Sequence, residues 1–553
     1  MKIGMILSNV AAPMDSISHQ FRSTVEALRQ EHELIFRPPD FAFYSRERQK
    51  EILKEMILSC DVLLGWMDDS ILQARQEIDK QVPYICYLLG CLPRGNVIMR
   101  RNYHLWRTTD VLLVNCAGDL EIAHNFFENA QVRLLPYAYS ESDFYPMDEA
   151  SKQALRAKLG FDSEDKILFY SGRLTLEKNV HSILKIFSVV QNLIPNAHLI
   201  IAGRGYNNPF FEFSTCSLNI RGTLEKVVAK LGIDKDKVKF VGQKDAASLR
   251  KLYNIADAVV NMTLHHDENF GMSQIEAMAC GTPVIGANWG GLKDTIEDGQ
   301  TGYKVSTTVT ASGVKLNWWE AVNKIVSLFQ NDSEYLRLRQ KCLSIASTKY
   351  SQSRYVQNLQ DILVDCLKKA ETGSEPLRVS EFAQQYWNSC VPVWGEIVAY
   401  KNGVSPYHMY KQLITPYTGT SRNGAADDRQ IKANHVVCLA APLVQAGEET
   451  LDVDDPIFPL RVTIPEEYKE VVSNVIKVMK EEPAITVERL TNNYLDRRAN
   501  VSDALEWMIE TGLLLKNEPE IGAVSTGSIG SQMSAPLFSF QNLHASTDVV
   551  VFR

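Results

Sequence analysis

Two glutamates eight positions apart, Glu268 and Glu276, frame a stretch whose residue types could do chemistry. Asn269, Phe270, Gly271, Met272 and Ser273 lie between them. Gly271 lets the backbone come close to a ligand. A helix starting at Met272 and Ser273 would offer unpaired N–H groups and the positive end of its dipole, which is a ready anion site. Glu276 then falls on the first turn of that helix, and Glu268 on the loop before it. One carboxylate can take sugar hydroxyls and the other a ribose diol, with a diphosphate at the helix end between them. A pair of glutamates at this spacing is also common on ordinary surface helices, so the chemical reading depends on what else converges there. His265 and His266 stand in the preceding loop as candidate acid or base groups.

The elements that must position this stretch read clearly. Residues 2–8, 33–37, 61–65, 83–88, 110–114 and 132–135 are short apolar runs, most of them separated by polar amphipathic segments. That alternation predicts a parallel sheet covered on both faces. Residues 166–170, 198–202, 239–241, 258–261 and 283–287 repeat it. Between the first two of these, Val180, Ile183, Leu184, Phe187, Val190 and Leu193 recur at three- and four-residue steps, and Pro195 follows as a helix stop. The fold class is therefore α/β, with two Rossmann-like domains over residues 1–160 and 161–370 joined through residues 136–146. Such sheets bind ligands beyond the carboxyl ends of their strands, which puts a cleft between the two domains. Residues 315–370 predict closing helices, and residues 371–378 a linker. Residues 380–553 lack the βαβ rhythm and read as an accessory, mainly helical module. Its clearest part, 465–515, has winged-helix-like spacing, with Asn500 or Ser502 as a cap and Gly512 as a stop. Residues 500–512 are acidic, which argues against DNA recognition, and residues 522–534 are rich in Gly and Ser.

The stretch from Glu268 to Glu276 resembles the glutamate–seven residues–glutamate motif of retaining glycosyltransferases of the GT-B fold, the large family that includes sucrose synthases and mannosyltransferases. The likeness extends to Gly172, Arg173 and Lys178, to the glycine turn at Gly203, Arg204 and Gly205, to residues 239–242 and 253–257, and to Gly290 and Gly291. It is dense over about residues 161–305, weaker over 1–160, and does not reach 380–553. The resemblance implies that Glu268 holds the transferred sugar and Glu276 the ribose. Arg173 and Lys178 would neutralise the donor diphosphate, with Gly172, Gly203, Gly205, Asn269, Phe270, Gly271, Met272 and Ser273 lining the donor. It implies transfer with retention from a nucleotide-diphosphate sugar, without a metal or other cofactor. Many relatives carry a Gly-Gly pair after the first strand and a histidine after the fourth. This chain has neither, which leaves Asp15, Ser16 and His19 as acceptor candidates, with His104 a further substitute for the histidine. The acceptor could be a peptide or protein docked by the C-terminal module, a natural product or a glycan. Two alternatives are a non-catalytic nucleotide-sugar-binding protein and a nucleotide-sugar epimerase.

Composition bounds these readings. With 45% hydrophobic and 22% charged residues, the 553-residue chain has the make-up of a soluble globular protein. Its net charge of −8 speaks against a basic nucleic-acid-binding face. Ten cysteines without a CxxC pair indicate neither zinc nor redox chemistry and fit a reducing, cytoplasmic setting. The apolar start is short and broken by Ser8 and Asn9, so it reads as a buried strand rather than a leader. No run approaches the ~18 apolar residues of a membrane span. Arg94, Arg100, Arg101 and Arg107 read as a solvated charge run, and Trp318, Trp319, Trp387 and Trp394 as packing residues.

Overall fold

In the computed structural model of the chain, the residues described are 1–6, 15–88, 102–175, 178–205, 219–264, 268–310, 313–371, 373–394, 397–400, 415–418, 431–440, 443–445, 449–453, 460–482, 484–495 and 500–517. The first six strands, β1 (Lys2–Ile6), β2 (Glu33–Phe36), β3 (Val62–Trp66), β4 (Tyr84–Tyr87), β5 (Val111–Val114) and β6 (Gln131–Leu134), form one parallel sheet in the order β2-β1-β3-β4-β5-β6. Every residue of β4 and β5 is buried. Continuous apolar runs are what strands covered on both faces require.

The second sheet is also parallel and six-stranded. It comprises β7 (Lys166–Ser171), β8 (Ala197–Ala202), β9 (Val238–Gly242), β10 (Ala258–Asn261), β11 (Val284–Ala287) and β12 (Gly302–Val305), in the order β12-β11-β10-β7-β8-β9. Each expected strand appears within about two residues of its observed ends, whereas β12 and the hairpin of β13 (Thr307–Thr310) and β14 (Gly313–Leu316) were not anticipated. Their mixed polar and apolar residues carry no continuous apolar run. Two doubly wound sheets facing each other make this a GT-B architecture. No helix among the described residues is long and apolar enough to cross a membrane.

The helix Gln352–Ala370 crosses back to the first domain. There the Tyr355 and Tyr87 hydroxyls hydrogen-bond at 2.8 Å and the Cys366 thiol donates to the Thr109 carbonyl. A linker was expected over residues 371–378; residues 374–380 lie along that domain as an extended segment. The Thr108 N–H donates to the Glu375 carbonyl, and those of Leu377 and Ser380 donate to Trp106 and Phe126. A buried ion pair stiffens the same domain: Arg75 meets Asp110 at 2.9 Å, and Asp110 also accepts from the Tyr84 and Arg107 N–H groups. Arg75→Met strands a buried carboxylate and is expected to cost about 3 kcal/mol, read as a lower urea midpoint. An unshifted midpoint would mean that the backbone donors suffice for Asp110.

Beyond residue 380 the expected helices are present, accompanied by short strands. A helix (Lys469–Glu481), a strand (Ala484–Thr486), two helices (Val487–Tyr494 and Val501–Glu510) and a strand (Leu514–Asn517) follow in the winged-helix-like order. Both strands pair antiparallel with a third, Val436–Leu439. Asn500 takes the N-cap position without a side-chain capping bond, and Gly512 ends the turn at φ +77°. A second three-stranded sheet spans Leu443–Gln445, Thr450–Val453 and Leu460–Thr463. This unit docks on the second domain, where Trp318 donates to the Leu439 carbonyl at 3.0 Å and Lys185 to that of Ala440 at 2.5 Å. Trp318 and Trp319 are buried there, and Trp387 packs against Tyr103 and Phe126, as packing residues should. The side chain of Trp394, the residues Arg94, Arg100 and Arg101, and residues 522–534 lie outside the described residues, as do Cys91, Cys216 and the Cys390 side chain. The seven described cysteines are free and buried.

Candidate active site

The segments expected to line the donor follow the carboxyl ends of β7, β8 and β10. The chain leaves β7 through Gly172 and Arg173 and leaves β8 through Gly203, Arg204 and Gly205. These two turns interlock: Gly172 N–H donates to the Ala202 carbonyl at 3.1 Å, and Leu174 N–H to that of Arg204 at 3.0 Å. A Cβ at Gly203 would stand 1.9 Å from the Gly172 carbonyl oxygen, so only glycine permits this approach. Arg173 is partly buried, and its carbonyl accepts from the Tyr170 hydroxyl at 2.9 Å, while Arg204 and Gly205 are exposed.

Lys178 reaches Glu268, 90 positions on, and the two form an ion pair with side chains only 18% and 8% exposed. The next residue, Asn179, was not anticipated. It sits left-handed, at φ 55°, at the start of the helix Val180–Leu193. Its amide donates to the Met262 carbonyl at 2.8 Å, which ties the Lys178 segment to the end of β10. An asparagine directly before a run with helical period was the signal available, since Asn tolerates this conformation better than other non-glycine residues.

The helix Met272–Ala279 begins where expected, with Gly271 at φ +88° as its N-cap. There a Cβ would come 2.3 Å from the Gln274 side-chain oxygen. Met272 and Ser273 occupy the first turn. The Phe270 ring is buried and packs edge-on against Tyr137 and Tyr350. Asn269 extends toward the first domain, where its amide approaches the Asn115 carbonyl oxygen at 3.4 Å.

Glu276 accepts a hydrogen bond from the Tyr253 hydroxyl at 2.9 Å. Burial pushes its carboxyl up to about 7, the charge of Asp143 adds to that, and the Tyr253 hydroxyl opposes it. Burial also raises the Tyr253 phenol far above its usual range, so it stays a donor. Tyr253 was visible in sequence only as part of a matching segment.

The loop carrying Glu268 is held from behind by the turn at Gly290 and Gly291. Gly291 N–H donates to the Glu268 carbonyl at 2.6 Å, and a Cβ at Gly291 would lie 2.3 Å from the Phe270 nitrogen. Gly291 itself has an ordinary φ of −70°, so any cost of substitution is steric. Gly291→Ala is expected to cost about 1–3 kcal/mol by overpacking, read as a lower urea midpoint. An unchanged midpoint would show that the loop yields.

Asp15, Ser16 and His19 fall on the helix Asp15–Leu28, but their side chains lie outside the described residues, as do His265 and His266. His104 occupies a single turn, Tyr103–Leu105, its ring edge-on to Tyr103. The structure thus brings Lys178 and Glu268 together beside the helix that carries Met272 and Glu276. Among the described residues, no group of three His, Cys, Asp or Glu side chains could hold a metal ion.

Residues 151–337 match the family described as glycosyl transferases group 1. Mannosylfructose-phosphate synthase of Agrobacterium fabrum is 31% identical over 198 residues, 35% of this chain and 41% of that protein. D-inositol 3-phosphate glycosyltransferase of Segniliparus rotundus is 30% identical over 177 residues, 32% of this chain and 36% of that protein. The chain thus spans less than half the length of either relative. The solved sucrose-phosphate synthase of Thermosynechococcus elongatus shares the fold, with a TM-score of 0.50 and 19% identity over 67% of this chain and 100% of that one. The Anabaena protein HepE in complex with UDP does so with a TM-score of 0.50 and 16% identity over 66% and 100%.

Proposed function

We propose that this chain, whose residues 151–337 belong to the glycosyl transferases group 1, moves a sugar from a nucleotide-diphosphate donor to an acceptor hydroxyl. The observation that carries this is the contact between Lys178 and Glu268 beside the Met272 helix end. In a nucleotide sugar the anomeric carbon is joined to the diphosphate through one oxygen. A carboxylate for the sugar and a cation for the diphosphate must then be neighbours, and they are. Glu276, with the Tyr253 hydroxyl upon it, is the group offered to the ribose, and the solved Anabaena protein of the same fold is in complex with UDP, which supports a nucleotide donor.

In this reading Glu268 orients the sugar hydroxyls, while Lys178, Arg173 and the Met272 helix end stabilise charge on the leaving diphosphate, the largest catalytic contribution. The bond from the anomeric carbon to the phosphate oxygen breaks as the acceptor oxygen bonds to that carbon on the same face. The acceptor proton passes to the departing phosphate oxygen, so configuration is retained. No metal takes part, and full activity in excess chelator is the expected result. The acceptor approaches from the first domain, across Asn115 and the helix Asp15–Leu28. It is a hydroxyl of a peptide or protein, a natural product or a glycan.

The test is a panel of UDP-, GDP- and ADP-sugars, with free nucleotide followed over time. Slow release from one donor, accelerated by an acceptor with retained anomeric configuration, supports the reading. Tight binding with no release under any acceptor would make the protein a nucleotide-sugar sensor, and interconversion of sugar epimers would make it an epimerase.

A further inference from the structure

A short piece of the C-terminal extension lies against the donor site itself. Residues 415–418 sit between the two domains, at the turn that backs Glu268. We propose that residues 415–418, anchored by Tyr417, are a positioning strap: they hold the Gly290–Gly291 turn in place and so set where the Glu268 carboxylate stands. The proposal rests on the donor-site reading of Glu268 given above.

The contacts run in one line. Tyr417 is 0% exposed, and its ring lies on Trp289 with centroids 5.9 Å apart and planes tilted by 30°. Its hydroxyl donates to the carboxylate of Asp119, also 0% exposed, in the first-domain helix Ala117–Phe126. That helix comes close enough that a Cβ at Gly118 would stand 2.9 Å from the Tyr417 ring. The Tyr417 carbonyl accepts the Gly290 N–H at 2.8 Å, and Thr418 pairs with Trp289 in an antiparallel bridge. The Lys293 ammonium donates to the Pro416 carbonyl and, at 2.9 Å, to that of Thr418. On the far side of the same turn, Gly291 N–H donates to the Glu268 carbonyl at 2.6 Å. One turn of backbone therefore separates the strap from the residue that would hold the sugar.

Simple attachment of the extension would need only apolar burial, which is non-directional. Here a buried carboxylate, a lysine and a turn N–H all converge on four consecutive residues. Such directed bonds fix register as well as contact. The strap also lies where the domains touch directly, since Ala117 N–H donates to the Asp294 carboxylate at 2.6 Å.

The test uses the full-length chain with Tyr417→Ala, Tyr417→Phe and Lys293→Met. Three quantities are read: hydrogen exchange over residues 288–295, kcat and KM for nucleotide release, and affinity for UDP alone. Tyr417→Ala is expected to speed exchange over 288–295 and to lower kcat by about 100-fold, the cost of a reacting group misplaced by roughly 1 Å, with UDP affinity held within about twofold. Tyr417→Phe, which keeps the ring, should recover most of that kcat, and Lys293→Met should shift both readouts in the same direction by less. If Tyr417→Ala does not fold, Lys293→Met decides. Wild-type kcat with unchanged exchange in Tyr417→Ala or Lys293→Met overturns the proposal, as does a parallel loss of kcat and UDP affinity. If the unaltered protein releases nucleotide from no donor, the donor-site reading fails, and the exchange measurement still decides whether the strap holds the turn.

Discussion

Glu268→Ala is expected to lower sugar transfer by about 10²–10³-fold, the typical effect of losing one group that stabilises the reacting centre. UDP affinity should change little. Glu268 is 7% exposed and paired with Lys178, and its loop is fixed by the Gly291 N–H and by the left-handed Gly271. Its side chain is thus held ready, and orienting the sugar falls to it rather than to the nucleotide contacts. Glu268→Gln keeps the volume and removes only the charge, so a loss of similar size would place the effect in the carboxylate. Lys178→Met should behave differently, weakening UDP binding as well as kcat, because its partner in the complex is the diphosphate. Steady-state nucleotide release and UDP titration separate the two cases. Equal losses of kcat and UDP affinity in Glu268→Ala would show that Glu268 binds the nucleotide instead.

UDP binding is expected to strengthen as pH rises toward 7 and then level off, and Glu276→Gln should remove the glutamate's share of that step. The carboxyl of Glu276 is raised to about 7 from an ordinary 4.5, first by burial and then by the charge of Asp143. The sign follows from that direction. A raised carboxyl favours the folded protein fully below about 4.5, and this contribution is lost as pH climbs through about 7. A ribose diol donates two hydroxyls and so prefers the ionised form. Below pH 7 binding must therefore expel a proton, which weakens affinity by up to about tenfold per pH unit. The second ionisation of the diphosphate titrates in the same range, but it is common to both proteins. The ratio of wild-type to Glu276→Gln affinity isolates the glutamate, and a ratio flat from pH 5 to 8 would show that Glu276 does not meet the ribose.

Much of this site is written in local signals. Short apolar runs mark the strands of both sheets because parallel strands are covered on both faces. Gly271, followed by a helix with apolar period, marks the turn and the anion-binding end, because left-handed backbone and helix starts have their own residue preferences. Glu268 and Glu276 are legible by their place around that turn. The acceptor side is less so, since Asp15, Ser16 and His19 share a helix with no spacing that singles out a ligand.

Other features depend on residues far apart in the chain. Lys178 and Glu268 meet across 90 positions because β7 and β10 are neighbours in the sheet, an order that no local pattern encodes. The same neighbouring strands explain Asn179, and Tyr253 likewise ties one helix to the next through Glu276. The three- and four-residue strands of the C-terminal unit are too short to show a period of two, and Ala484–Thr486 and Leu514–Asn517 share a sheet only because the strand Val436–Leu439 lies between them. Tyr417 is the extreme case. In sequence it is one tyrosine in a polar stretch, and it gains a role only when the chain folds back over more than a hundred residues onto Trp289 and Asp119. Sequence alone thus determined the two sheets and the carboxylates around the Gly271 turn, because strand, turn and helix preferences are properties of neighbouring residues. The contact of Lys178 with Glu268 and the strap behind it came from tertiary structure, because strand order and loop closure are properties of the whole chain.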